Sequence, residues 1–153
     1  MAQVEAYDDN TENIPQSLSG ARVLVIDDEP DFIKLISFIL SEKVADGVIE
    51  ATGGYEGLTA ARENAPLDLI ILDIMMPGLH GFEVYPRLRL IPGLEQVPIL
   101  FIGTKPPELV YPKAQRLGAS GYVIEPFSPN DLLKARDAAL RGETYYPPLD
   151  EEM

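Results

Sequence analysis

Apolar residues along the chain gather in five short runs, and between the runs they recur at helical spacing. Arg22 to Ile26 (RVLVI) stops at Asp27 and Asp28, and Val48 to Ala51 is a weaker run broken by Gly53 and Gly54. Leu67 to Leu72 stops at Asp73, Val97 to Ile102 at Gly103 and Thr104, and Gly121 to Ile124 at Glu125 and Pro126. Short apolar runs bounded by turn residues predict strands buried on both faces. Pro30 opens a first helix in which Phe32, Leu35, Ile36, Ile39 and Leu40 recur. Tyr55 to Glu63 predicts a second, with Leu58 and Ala61 inward, and Phe82 to Leu90 a third that carries Pro86 in its interior. Glu108 to Leu117 predicts a fourth, closed by Gly118; Pro112 should leave it short, kinked or late in starting. Pro129 opens the last, with Leu132, Leu133, Ala135 and Ala139 recurring before Gly142.

Strictly alternating strands and helices imply a doubly wound α/β fold, a parallel sheet with helices on both faces. Right-handed crossovers leave few topologies, and the flavodoxin-like order 2-1-3-4-5 is the natural one for five strands. The domain is expected over residues 20–141. Residues 1–19 read as a flexible acidic tail and residues 142–153, ending ETYYPPLDEEM, as an acidic C-terminal tail.

A chain of 153 residues suits one domain with a real core. The absence of cysteine excludes disulfides and thiolate chemistry, and one histidine, His80, excludes a His-rich metal site. His80 reads as an exposed loop residue. No apolar run reaches the length of a membrane span. The first nineteen residues hold four acids and no Lys or Arg, which is not a secretory signal, so a cytoplasmic location away from membranes is expected. Net charge is −13, and no cluster of Lys and Arg offers phosphate contacts, so direct nucleic-acid binding is not expected.

In the order 2-1-3, strands one and three are neighbours about 4.8 Å apart. Asp27, Asp28 and Asp73 then converge at the carboxyl edge of the sheet, where open α/β sheets bind ligands. Three carboxylates so close repel one another. A hard cation relieves the repulsion, and an all-oxygen donor set without His or Cys suits Mg²⁺. The alternative is that Asp73 caps a turn and that Asp27 or Asp28 caps the helix that follows.

These stretches resemble the receiver domain of two-component response regulators. VLVIDDEPDF is similar to the family's acidic pair, ILDIMMPGLHGFEV to its phosphoacceptor motif and GASGYVIEPF to its fifth-strand motif; the likeness runs from about Gly20 to Arg141. The resemblance implies that Asp73 is the phosphoacceptor, taking a phosphoryl group from a histidine kinase or phosphotransfer protein to give an acyl phosphate. It implies that Asp28 ligates Mg²⁺ directly, Asp27 mainly through water, and Met75 by its backbone carbonyl. Tyr122 matches the family's aromatic switch residue.

Two positions depart from the family pattern. Gly103 stands where a Ser or Thr is usual, with Thr104 one residue later, and Glu125 stands where a Lys is usual. Glu125 is then expected to repel the phosphoryl oxygens or to join the acids around the metal. Pro112 falls in a helix that usually belongs to the output face. The expected function is a stand-alone receiver that signals by contact with a downstream protein, with self-association into a homodimer as one form of contact and no enzymatic activity of its own. The alternative is a receiver-like interaction module with a degenerate phosphorylation switch. A Mg²⁺-dependent phosphatase is disfavoured, because Met75 stands where such hydrolases carry a second Asp.

Overall fold

The computed structural model describes residues 20–41 and 47–149. The expected N-terminal tail lies outside these residues, as do the last four of the C-terminal one. Among the described residues the elements alternate as β1 (Val23–Ile26), α1 (Pro30–Ser41), β2 (Val48–Ala51), α2 (Gly54–Asn64), β3 (Leu69–Asp73), α3 (Gly81–Arg89), β4 (Ile99–Gly103), α4 (Pro107–Leu117), β5 (Gly121–Ile124) and α5 (Pro129–Leu140). The sheet is parallel throughout and its order is β2-β1-β3-β4-β5, as the sequence predicts.

Successive strand residues point to opposite faces, so each apolar run feeds two cores. Leu24, Ile26, Ile70, Leu72, Ile99, Phe101 and Tyr122 face α2, α3 and α4, where they meet Leu58, Ala61, Val84, Leu88 and Val110. Val23, Val25, Leu69, Ile71, Leu100, Ile102 and Val123 face α1 and α5, where they meet Ile33, Ile36, Leu40, Leu132 and Ala135. Each such side chain, fully buried, contributes roughly 1.5–3 kcal/mol. This double burial makes the strands read as continuous apolar runs.

The helices differ from expectation in three places. In α1 the buried residues are Ile33, Ile36 and Leu40, whereas Leu35 is exposed and Phe38 is 73 % exposed. Helix α4 starts at Pro107 and runs unbroken through Pro112 to Leu117. Pro112 is exposed, so the ring faces water and the helix loses one backbone donor without losing core contacts. In α5, Arg136 and Asp137 are each 1 % exposed although their types predict a solvent-facing position. Arg136 Nη2 lies 2.6 Å from Asp137 Oδ1, and Nε donates to the same oxygen at 2.7 Å, which pairs the two charges inside the protein.

The segment after α5 is not a free tail as far as Leu149. Tyr145 forms a parallel bridge with Gly121 at the edge of β5. Its N–H donates to Ser120 O at 2.7 Å, and its carbonyl accepts from Tyr122 N at 3.0 Å.

Candidate functional site: a carboxylate cavity at the end of the sheet

Register places the site. Ile26 is aligned with Leu72, so the next residues, Asp27 and Asp73, leave the sheet side by side. Gly103 is aligned with Ile124, so Thr104 and Glu125 form the next pair along the same edge. Asp27, Asp28, Asp73, Met75, Thr104 and Glu125 all line one cavity of about 190 Å³. Six of the seven residues predicted from sequence thus share one space.

Asp27 and Asp73 are only 2 % and 7 % exposed, whereas Glu125 is half-buried. Each of the three offers a carboxylate oxygen, and these atoms lie within 4.8 Å of one another. Burial, and then the neighbouring Asp27 charge, push the Asp73 carboxyl up to about 8, against a backbone hydrogen bond from Met75 that lowers it. Burial likewise pushes Asp27 up to about 6, opposed by the Glu29 backbone. Glu125 is raised too, by burial first and then by Asp27 and Glu29. In an oxygen-only cluster whose members resist ionising together, a divalent cation would relieve the repulsion, and the donor set fits Mg²⁺.

Backbone donors fix the two central acids. Asp27 Oδ1 accepts from Glu29 N at 2.9 Å, and Asp73 Oδ1 accepts from Met75 N at 3.3 Å. Met75 itself is exposed, at the rim. Helix α3 closes on the back of the site through Gly81, whose N–H donates to Ile74 O at 2.7 Å. A methyl group at Gly81 would run into the Asp73 carbonyl oxygen and come within 2.9 Å of Ile74 Cα, so only glycine lets the helix approach so closely. His80, exposed as expected, precedes α3, and Glu83 Oε1 accepts from its backbone N–H at 3.2 Å. That capping bond gives His80 a structural part at the helix start.

Tyr122 stands apart from the cavity. Its ring is 1 % exposed, and its hydroxyl donates to Lys105 O at 2.7 Å. Burial, with a smaller contribution from Glu125, pushes the phenol up to about 12, so it remains a donor. A methyl at Gly103 would meet Tyr122 Oη at 3.5 Å and Ile74 Cβ at 3.7 Å, which are ordinary contacts. Position 103 therefore has room for a Cβ.

Residues that the sequence reading passed over surround Tyr122. Tyr111 meets its ring edge-on, with centroids 6.3 Å apart, and meets Tyr146 edge-on at 5.1 Å. The available signal was the YYPP run, because consecutive aromatics are out of place in a disordered acidic tail.

Residues 23–137 match the response regulator receiver domain family. The chain is 34 % identical over 122 residues to protein PilH of Pseudomonas aeruginosa, a match that spans 80 % of this chain and 99 % of that protein. It is 35 % identical over 120 residues to the DNA-binding response regulator MtrA of Mycolicibacterium smegmatis, spanning 78 % of this chain and only half of that protein. Among solved structures, the Vibrio cholerae chemotaxis protein CheY4 superposes with a TM-score of 0.72 at 31 % identity, over 78 % of this chain and 98 % of that one. With the strand order, the paired acids of β1 and the single acid of β3 all in place, this chain belongs to the response regulator receiver domain family.

Proposed function

We propose that Asp73 accepts a phosphoryl group from a phosphohistidine of a histidine kinase or phosphotransfer protein, and that the phosphorylated chain signals by contact with a downstream protein in the cytoplasm. The observation that carries this reading is the convergence of Asp73, Asp27 and Glu125 in one small cavity at the carboxyl end of the sheet. Oδ1 of Asp73 is engaged by Met75 N, which leaves Oδ2 as the nucleophile. In the transfer a P–O bond forms to Oδ2 while the P–N bond to imidazole breaks, and the imidazole leaves with the electron pair. Asp73, Asp27, Glu125, Asp28 and the Met75 carbonyl are the groups that would hold Mg²⁺. When bound, Mg²⁺ supplies positive charge to the carboxylates and to the phosphoryl oxygens. Thr104, at the cavity wall, is the hydroxyl donor that Gly103 lacks.

An apolar groove of about 350 Å³ beside the cavity supports a protein as phosphodonor. It is lined by Phe32, Leu35, Pro126 and Phe127, together with Thr104 and Glu125. Incubation with a small-molecule phosphodonor and Mg²⁺, followed by intact-mass measurement, tests the reading. One phosphoryl group should be added, and Asp73→Asn should abolish it. A phosphoryl group that persists on the Asn variant moves the chemistry to another residue.

A further inference from the structure

The carboxylate cavity holds more negative charge than one divalent cation balances. Besides Asp27, Asp28, Asp73 and Glu125 its lining includes Glu29, and no Lys or Arg lines it. None of these five acids takes part in an ion pair among the described residues. After burial, the charges of Asp27 and Glu29 are what raise Glu125, so these three carboxylates act on one another directly. Asp73 is 7 % exposed, and only its Oδ1 is engaged, by Met75 N; Oδ2 has no hydrogen-bond partner among the described residues.

Phosphorylation of Asp73 sharpens the imbalance. A phosphoryl group on Oδ2 replaces one carboxylate charge by nearly two, spread over three strong acceptor oxygens. It also withdraws Oδ2 from the cluster of Asp27, Asp73 and Glu125, because that oxygen is now bonded to phosphorus. Four free carboxylates then crowd the new oxygens in the same small space, and like charges so close disfavour one another. In the resting chain one cation serves all the carboxylates. In the phosphorylated chain the same cation leaves the corner at Glu125 and Glu29 without positive charge.

We propose that the phosphorylated chain takes up a second divalent cation in this cavity, held by Glu125, Glu29 and Asp27 and by the phosphoryl oxygens themselves. This inference rests on Asp73 as the phosphoacceptor. The donors are all oxygens, which selects a hard cation such as Mg²⁺ or Mn²⁺. The space suffices, since about 190 Å³ equals roughly six waters at their liquid volume. Sites that use two cations in phosphoryl transfer hold them about 3.5–4 Å apart. Asp27, Asp73 and Glu125 spread their oxygens over up to 4.8 Å, which is the span such a pair needs. A carboxylate that holds a divalent cation carries the net charge of one ammonium. Glu125 therefore attracts the phosphoryl oxygens when the second cation is bound and repels them when it is not, so the phosphorylated state depends on two cations.

The test uses the full chain and beryllofluoride, whose adduct with a carboxylate matches an acyl phosphate in charge and shape. Mn²⁺ is the probe, at saturating concentration, counted per chain by electron paramagnetic resonance. The resting chain should bind one Mn²⁺ in the cavity. The adduct should bind two, with the broadened, spin-coupled signal of neighbouring ions. Glu125→Gln and Glu125→Lys should each form the adduct with a single, uncoupled Mn²⁺. One Mn²⁺ in the wild-type adduct, two coupled ions in either variant, or a variant without the adduct overturns the proposal. Two ions without coupling in the wild type mean adventitious binding to the acidic surface and overturn it too. Fluorine NMR separates this inference from the reading beneath it. An adduct with one Mn²⁺ removes the second cation and leaves Asp73 as the phosphoacceptor, whereas the absence of any bound-fluoride signal removes both.

Discussion

The carboxylate cavity and the strap formed by Glu143–Leu149 after α5 meet on one short strand. Glu125 leaves the carboxyl end of β5 and Gly121 opens its amino end. At the first end, carboxylates of like charge crowd one small cavity and repel one another. At the second, neutral phenols and backbone groups satisfy one another, with Tyr145 and Tyr146 pushed up to about 12 by burial and therefore protonated donors. One region is left with unrelieved like charge and the other is satisfied by the chain itself. Variants and conditions should consequently act on the two ends separately.

Changing pH should separate them most. The Asp73 and Asp27 carboxyls, 3.8 when free, titrate near 8 and 6 in the folded chain. Between about pH 4 and 8 the folded state therefore binds more protons than the unfolded one, and stability falls as pH rises. One pKa unit is worth about 1.4 kcal/mol, so the fall without divalent ion should be on the order of a few kcal/mol. Thermal melts across that range should show it in chelator, and saturating Mg²⁺ should flatten it. The phenols titrate far above this window, so the strap amides should keep their protection throughout. A flat profile in chelator would mean that the carboxyls ionise freely.

Gly81→Ala is the next largest effect. Its methyl group must push α3 away from the Asp73 carbonyl, and overpacking of this kind costs roughly 1–3 kcal/mol. Denaturant unfolding should show the loss, and the phosphorylation rate should drop, while Tyr145 amide exchange stays as in the wild type. A variant of unchanged stability would show that the helix has room to spare.

Glu125→Lys tests the third carboxylate. Removing an acidic oxygen and adding a cation should weaken Mg²⁺ at least tenfold, which equals about 1.4 kcal/mol. Calorimetric or NMR titration reads this directly. Unchanged affinity would return Glu125 to the role of a repelling neighbour. The smallest effect belongs to the other end of β5: Tyr146→Phe removes one hydrogen bond to Ala119 O and should cost about 1 kcal/mol, with faster exchange of strap amides and no change in Mg²⁺ affinity.

The same contrast explains what could be read from the sequence. Val23–Ile26 and Leu69–Asp73 announce themselves because burial on two faces leaves no polar position until the strand ends, and the residues at those ends form the candidate site. Strand order then sets Asp27 beside Asp73 without any further information. The strap has no such period: one bridge and two aromatic rings are tertiary contacts, carried by the spacing between Tyr145 and a glycine twenty-four residues earlier. Pro112 misled because its cost depends on whether the ring faces water, which a linear pattern does not state. Arg136 and Asp137 are hidden from a linear pattern for a related reason: adjacent opposite charges on a helix usually part toward solvent, and here they pair with each other instead.

The central claim is that Asp73, and no other acid of the crowded cavity, receives the phosphoryl group. Borohydride reduction of the phosphorylated chain converts an aspartyl phosphate to homoserine, and peptide mass spectrometry then locates it. The account predicts conversion in the peptide that carries Asp73 and in no other. Homoserine at Asp27 or Asp28, hydroxynorvaline at Glu125, or no reduction product after stoichiometric phosphorylation, would contradict it.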